Sequence, residues 1–332
     1  MNLKQAKDPT RKAYAERMLE RGASDREFVV FESDIGYSTY SYLFGDKYPE
    51  RYFNMGIAEI GAMAAAAGMA AEGRNVVVCG YGVFITMRAV EVIRSFICYP
   101  HLNVKFLSSH GGMTAAIDGV THQATEDIAY MTTLPNMKVL VPADCVSAAA
   151  AFDMALGTPG PVFTRLMRDP LWDLYPAGTD FSMGGSHVVR KGKDLTIASY
   201  GDTVFQALEA AELLGKKGID AEVIDFYSLK PWDSRRLAAS LEKTKALVVA
   251  ENHQKRNGFG YEVAAWLAEY GVAEGAIVQG KSTKLAGLPV ALIGLEDTFA
   301  ESGNYFKTLT KFGLDGPGIA EKAERIFARK GK

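Results

Sequence analysis

The sequence predicts a mainly parallel α/β architecture in two units, on three observations. Short β-rich runs recur along the chain, mostly bounded by Gly, Pro, Asp or Ser, as strands are. Helix-length segments stand between them, and that alternation implies sheets covered by helices on both faces. A polar, glycine-containing passage around residues 172–190, with Pro176, Gly178, Gly184 and Gly185, separates two sets of such elements.

In order, the first set comprises strands Phe28–Glu32, Asn75–Cys79, Val104–Ser108, Lys138–Pro142 and Val162–Leu166. Helices are expected at Arg11–Arg21, Gly56–Ala71, Thr86–Ile97, Thr121–Met131 and Cys145–Leu156. The second set comprises strands Leu195–Ser199, Ala221–Asp225, Ala246–Ala250 and Val290–Gly294, with helices at Val204–Lys216, Ser234–Ser240 and Tyr261–Glu269. The expected division is a domain over residues 1–175, a linker over 176–189 and a second domain over 190–332.

Composition narrows the function. With 37 basic and 39 acidic residues the formal net charge is -2, so no general field attracts nucleic acid or an acidic membrane. A local positive pocket is still compatible with it. Cys79, Cys98 and Cys145 are too few and too widely spaced for a disulfide framework or a metal cluster, and a reducing, cytoplasmic setting is expected. The first residues are charged and polar, without the apolar core of a secretory signal. The longest apolar stretch, Ile57 to Ala71, contains Glu59 and is too short to span a bilayer.

That stretch is informative in another way. Ala62 and the alanines at 64–67, with Gly61 and Gly68, give a helix few projecting side chains. Each glycine costs about 1 kcal/mol relative to alanine, so close packing against another backbone, in the subunit or across a dimer, must offset it. Glu59 stands in the first turn, where a carboxylate is stabilised by free backbone N–H groups; burial would require a further partner.

The segment NMGIAEIGAMAAAAGMAAEG, residues 54–73, resembles the pyrimidine-domain signature of the transketolase family. The resemblance implies a thiamine-diphosphate-binding fold followed by a smaller transketolase C-terminal α/β domain. It puts Glu59 at the family's catalytic glutamate position. There a carboxylate hydrogen-bonds the aminopyrimidine ring nitrogen and favours the imino form that removes the thiazolium C2 proton.

SSHGGMTAAIDGVTHQATED, residues 108–127, keeps the family's spacing of His110, Asp118 and His122. Taken singly, these are an ordinary loop histidine, an Asx turn before Gly119 and a helix cap; two histidines and an aspartate also suggest a metal. In the resemblance, His110 binds a sugar's terminal phosphate, Asp118 receives a hydroxyl near C2, and His122 lies beside the reacting oxygens and the cofactor. Imidazole suits that last position because it can donate to a developing oxyanion or exchange a proton near neutral pH.

Arg11, Ser38 and Arg165 match the phosphate end of the family and with His110 form an expected clamp; arginine's planar fork suits phosphate. Tyr81 and Phe84, in CGYGVF, fall where aromatics stack on the aminopyrimidine, although Tyr81 also reads as a core aromatic. Met87 stands where transketolases usually have a second aromatic, and its thioether can still contact a ring. Asp34 matches an acidic position near the thiazolium. Ile117 and Val120 replace an acidic residue and a proline of full-length transketolases.

The likeness continues through ASYGDTVFQALEAAELL, VIDFYSLKPWD, VVAENH and DTFAESG, pieces of the C-terminal domain, which in the family matters more for assembly than for chemistry. The sequence has no GDG segment with the acidic and asparagine partners that hold a diphosphate through a divalent cation. The expectation is a catalytic subunit of a split transketolase. It uses thiamine diphosphate, with Mg2+ or another divalent cation held mainly by a separately encoded N-terminal-type partner, in a heterotetramer of two copies each. Its reaction would be two-carbon ketol transfer between sugar phosphates, as in the pentose phosphate pathway. The competing readings are a deoxyxylulose-phosphate-synthase-like enzyme, a 2-oxo-acid dehydrogenase β-like subunit and a non-catalytic stabilising subunit.

Overall fold

Runs such as FVVFE and VKFLSS are apolar enough to be buried on both faces, and both become inner strands with every residue buried. The computed structural model describes residues 3–330 apart from 273–276, 279–280, 283–284 and 286. Its first sheet draws on β1 (Phe28–Glu32), β2 (Tyr52–Asn54), β3 (Asn75–Tyr81), β4 (Val104–Ser109), β5 (Lys138–Leu140) and β6 (Val162–Arg165). All neighbouring pairs among these are parallel. The second sheet draws on β7 (His187–Arg190), β8 (Leu195–Ser199), β9 (Ala221–Asp225), β11 (Leu247–Gln254) and β14 (Val290–Leu295), with only β7 antiparallel. Two short strands, β12 (Ile277–Val278) and β13 (Lys281–Ser282), pair antiparallel with each other in a separate two-stranded sheet.

The two units are joined by strand pairing and by shared core. The short strand β10 (Ser228–Lys230) leaves the second unit to pair antiparallel with β5, giving a first-sheet order of β10-β5-β6-β4-β3-β1-β2. One buried cluster runs from Val29, Phe106 and Phe163 to Phe226, Val249 and Phe259, so the two sheets share apolar core. The passage between them is also tied down. Leu174 and Tyr175 donate backbone N–H groups to Asp144, and the Tyr175 hydroxyl donates to Asp225 at 2.6 Å.

Several stretches depart from expectation. The helix expected at Thr121–Met131 begins only at Asp127, because the preceding backbone is committed elsewhere. Gly112 and Ala124 exchange N–H···O bonds of 2.8 and 3.1 Å, and the His122 N–H turns back to Gly119. In the other direction, helices Tyr305–Phe312 and Gly316–Phe327 add to the expected set, capped by the side chains of Asn304 and Asp315. Among the described residues no helix is long and apolar enough to cross a membrane.

Candidate active site

In the first sheet β1 lies between β2 and β3, so the chain reverses its direction of strand addition there. Such a switch point opens a crevice beyond the carboxyl ends of the strands, the usual ligand position in open α/β sheets. Asp34 and Ser38 follow β1, Tyr81 ends β3, Phe84 follows it, and His110 follows β4. Two of these loops contain strained backbone, with φ of 60° at Asp34 after β1, and 63° at His110 and 53° at Ala116 after β4. Non-glycine residues adopt such angles at a cost, most often at functional sites.

At one end of the crevice the side chains form a connected set. Arg11 donates to the Ser38 hydroxyl at 3.0 Å and, through Nε, to the Arg168 carbonyl at 2.9 Å. The Tyr81 hydroxyl donates to the same Ser38 oxygen at 2.8 Å, and the Tyr81 ring centroid lies 4.1 Å from that of His110. His110 Nδ1 meets Ser109 Oγ at 2.9 Å, while its Nε2 lies 3.8 Å from Asp118. Asp118 in turn lies 3.6 Å from Arg168 Nε. Burial, then the charges of Arg11, Arg168 and His122, push the His110 imidazole down to about 2, so it is neutral at working pH.

Arg165 is not part of this set, which corrects the expected phosphate clamp. Its side chain is 2% exposed, its Nε forms an ion pair with Asp127 at 3.0 Å, and it donates to the carbonyls of Ala124 and Asn252 at 3.2 and 2.7 Å. As part of a buried strand it is turned inward and held there. Arg168, three residues later and beyond the strand end, is the cation that reaches Asp118. Sequence reasoning missed it, although two arginines spaced Arg-Leu-Met-Arg at a strand's carboxyl end were a readable signal.

At the other end Glu59 opens helix Glu59–Ala71 and is 6% exposed. Both of its carboxylate oxygens accept from Arg88, at 3.1 and 3.0 Å. The Arg88 guanidinium also lies 4.2 Å from the centroid of the Phe84 ring. Helical spacing puts Phe84, Met87 and Arg88 on one face of helix Gly82–Val92, with Met87 exposed. His122 joins the two ends: its ring lies 5.3 Å from Phe84 and 5.8 Å from Tyr81, and its Nδ1 meets Thr121 Oγ1 at 2.9 Å. It lies ahead of helix Asp127–Thr133 and does not cap it. Asp34 is exposed and accepts from Asn54 Nδ2 at 3.0 Å, beside a cavity of about 500 Å³ lined also by Glu32, Ser38 and Tyr52.

The second unit braces the loop that carries His110 and Asp118, a contribution missed in reading that unit as mainly for assembly. Asn252 of β11 accepts from the Met113 N–H at 2.9 Å and donates to Asp202 at 2.7 Å. A Cβ on Gly112, which has φ +58°, would lie 2.6 Å from the Arg165 guanidinium, so that position needs glycine. Gln123 donates to the Glu301 carbonyl, and Ser302 donates to that of Ile117. No signal in a single sequence pairs Asn252 with Met113, because the contact depends on how the sheets pack.

A buried carboxylate beside an aromatic face fits the aminopyrimidine end of thiamine diphosphate. Among the described residues no group of three or more His, Cys, Asp or Glu could hold a metal.

This arrangement agrees with the thiamine-diphosphate-binding α/β fold that the sequence resemblance implies. Residues 7–171 match the transketolase pyrimidine-binding domain and residues 184–319 the transketolase C-terminal domain. A 6-deoxy-6-sulfo-D-fructose transketolase subunit of Clostridium sp. (strain MSTE9) is 32% identical, over 96% of this chain and 95% of that one. One subunit of an apulose-4-phosphate transketolase from Phocaeicola vulgatus is 31% identical, over 94% and 96% respectively. A solved split-gene transketolase, described as an inactive beta4 tetramer, superposes with a TM-score of 0.84 at 37% identity, covering 97% of this chain and 99% of that one. The chain belongs to the transketolase family.

Proposed function

We propose that this chain is the catalytic subunit of a split transketolase, which moves a two-carbon ketol unit from a phosphorylated ketose to an aldose phosphate. The observation that carries the reading is one run of side-chain contacts, through His122 and Tyr81, that joins a carboxylate and an aromatic face at one end to two arginines at the other. When bound, thiamine diphosphate supplies a nucleophilic thiazolium carbon able to hold the two-carbon fragment. Glu59 would hold the proton shared with the aminopyrimidine ring nitrogen, and Phe84, with Tyr81 and Met87 nearby, would fix the plane of that ring. His122, between the two ends, would donate to the substrate oxygen on which charge develops. Asp118 would accept a sugar hydroxyl hydrogen, while Arg11, Arg168 and Ser38 take the terminal anion. His110, neutral, would donate a hydrogen bond there and add no charge.

A separately encoded N-terminal-type subunit would supply the divalent cation and the diphosphate site, in a cytoplasmic heterotetramer of two copies each. Several observations support such a partner. Ile57, Ile60 and Met87 are 76%, 55% and 48% exposed around Glu59, more apolar surface than a finished site leaves in water. Gly68 of the small-sided helix has nothing within 4 Å of where a Cβ would stand, so no packing among the described residues offsets its helix cost. The solved split-gene relative, a tetramer of one kind of chain, is described as inactive.

The deciding experiment is ketol transfer by the reconstituted complex carrying Glu59→Gln. Transfer is expected to fall roughly 100- to 10,000-fold with the complex intact, and undiminished transfer would overturn the catalytic assignment. A strong preference for pyruvate as donor would move the chain to the synthase class. One relative is named for a sulfonated sugar, and a sulfonate would meet the same two arginines; matched phosphorylated and sulfonated acceptors separate these substrates.

A further inference from the structure

Arg88 has no role in the transfer just described, yet it makes both contacts assigned to the aminopyrimidine ring. One of its terminal nitrogens donates to the two Glu59 oxygens at 3.1 and 3.0 Å. Its guanidinium carbon lies 4.2 Å from the Phe84 centroid, a stacking distance with no space for a second planar group between them. A guanidinium is flat, donates N–H groups to carboxylates and stacks on aromatic faces. A protonated aminopyrimidine has the same three properties. We propose that Arg88 occupies the aminopyrimidine seat until cofactor enters, so that loading requires its side chain to swing away from Glu59 and Phe84.

The surrounding structure makes this exchange feasible. Phe84 and Arg88 are four residues apart on one helix, so the side chain reaches the ring from a fixed anchor. Arg88 is 47% exposed, whereas the Glu59 side chain is only 7% exposed. The cation can therefore retreat into solvent, while the carboxylate stays and needs a partner in either state. Before loading, Arg88 is that partner; afterwards the ring nitrogen is.

The inference rests on Glu59 and Phe84 forming the aminopyrimidine seat, and its test separates the two ideas. The probe is thiamine diphosphate with Mg2+, titrated calorimetrically into the complex isolated through a tag on this chain and stripped of cofactor. Removing a partly exposed ion pair and a cation–π contact that compete with the ring should tighten binding by Arg88→Ala roughly 5- to 30-fold. Arg88→Lys keeps the charge without the flat stacking surface and should fall between the two. An unchanged or weakened Kd for Arg88→Ala, in a complex that Glu59→Gln inactivates, overturns the Arg88 proposal alone. Undiminished transfer by Glu59→Gln overturns the seat, and the Arg88 proposal with it.

Discussion

Arg165 and Arg168 have opposite surroundings three residues apart, so their variants should fail in different ways. Arg165 is paired with Asp127 in a dry interior, and removing one member of a buried pair costs about 3–5 kcal/mol because the other charge is left behind. Arg165→Ala should therefore lower the unfolding temperature without selecting between substrates. Arg168 is partly exposed at the crevice, and losing a charged contact there should cost about 1.5–3 kcal/mol of binding, or roughly 10- to 150-fold. Arg168→Ala should reduce kcat/KM for a phosphorylated acceptor by that factor and leave a short unphosphorylated aldehyde almost unaffected. Equal losses for both acceptors would remove the anion-binding role. Both residue types were legible, but their placement was not. An arginine within a buried strand faces the interior packing, whereas one past the strand end stands over the ligand edge, and deciding between them required the end of β6.

At the scale of elements, the passage between the two units is held by a buried carboxyl. Burial pushes Asp225 of β9 up to about 8, against the lesser opposing effect of the Tyr175 hydroxyl bond. The folded chain thus keeps a proton that an unfolded aspartate loses near pH 4. With the folded value raised, this contribution to stability is fully present below about pH 4 and is lost as pH rises towards 8. Asp225→Asn can still accept from Tyr175 and has no charge to bury. Its stability relative to the unmodified chain should rise with pH across that window, by up to about 1.4 kcal/mol per pH unit. A difference independent of pH, measured by denaturant unfolding at pH 5 and pH 8, would contradict the shift. The inner strands β1, β4 and β8 were readable because every position is buried. The segment 119–126 was not, because the Gly112–Ala124 pairing overrides a locally helical pattern.

The whole molecule has two sheets sharing a core, which explains why the second unit can hold the loop that carries His110 and Asp118. Asn252 and the Glu301–Ser302 segment act on the Met113–Gln123 region only because the sheets are packed against each other. What the chain does not cover is the surface around Glu59. Ile57 and Ile60 flank that residue in sequence and are 76% and 55% exposed, while Ala62, Met63 and Ala66 on the other side of the helix are buried in the subunit. The outer side is therefore expected to be completed by another chain. A glutamate at position 60 would leave the inner packing untouched and place a charge where the proposed partner would seat, which is costly once water is excluded. Ile60→Glu should fold with the unmodified chain's circular dichroism and unfolding temperature, yet fail to co-elute with the N-terminal-type subunit. The unmodified chain, purified alone, should bind thiamine diphosphate only weakly and show no transfer, and adding that subunit with Mg2+ should restore both. Full activity of the isolated chain, or normal assembly of Ile60→Glu, would show that the open face around Glu59 is not where the partner binds.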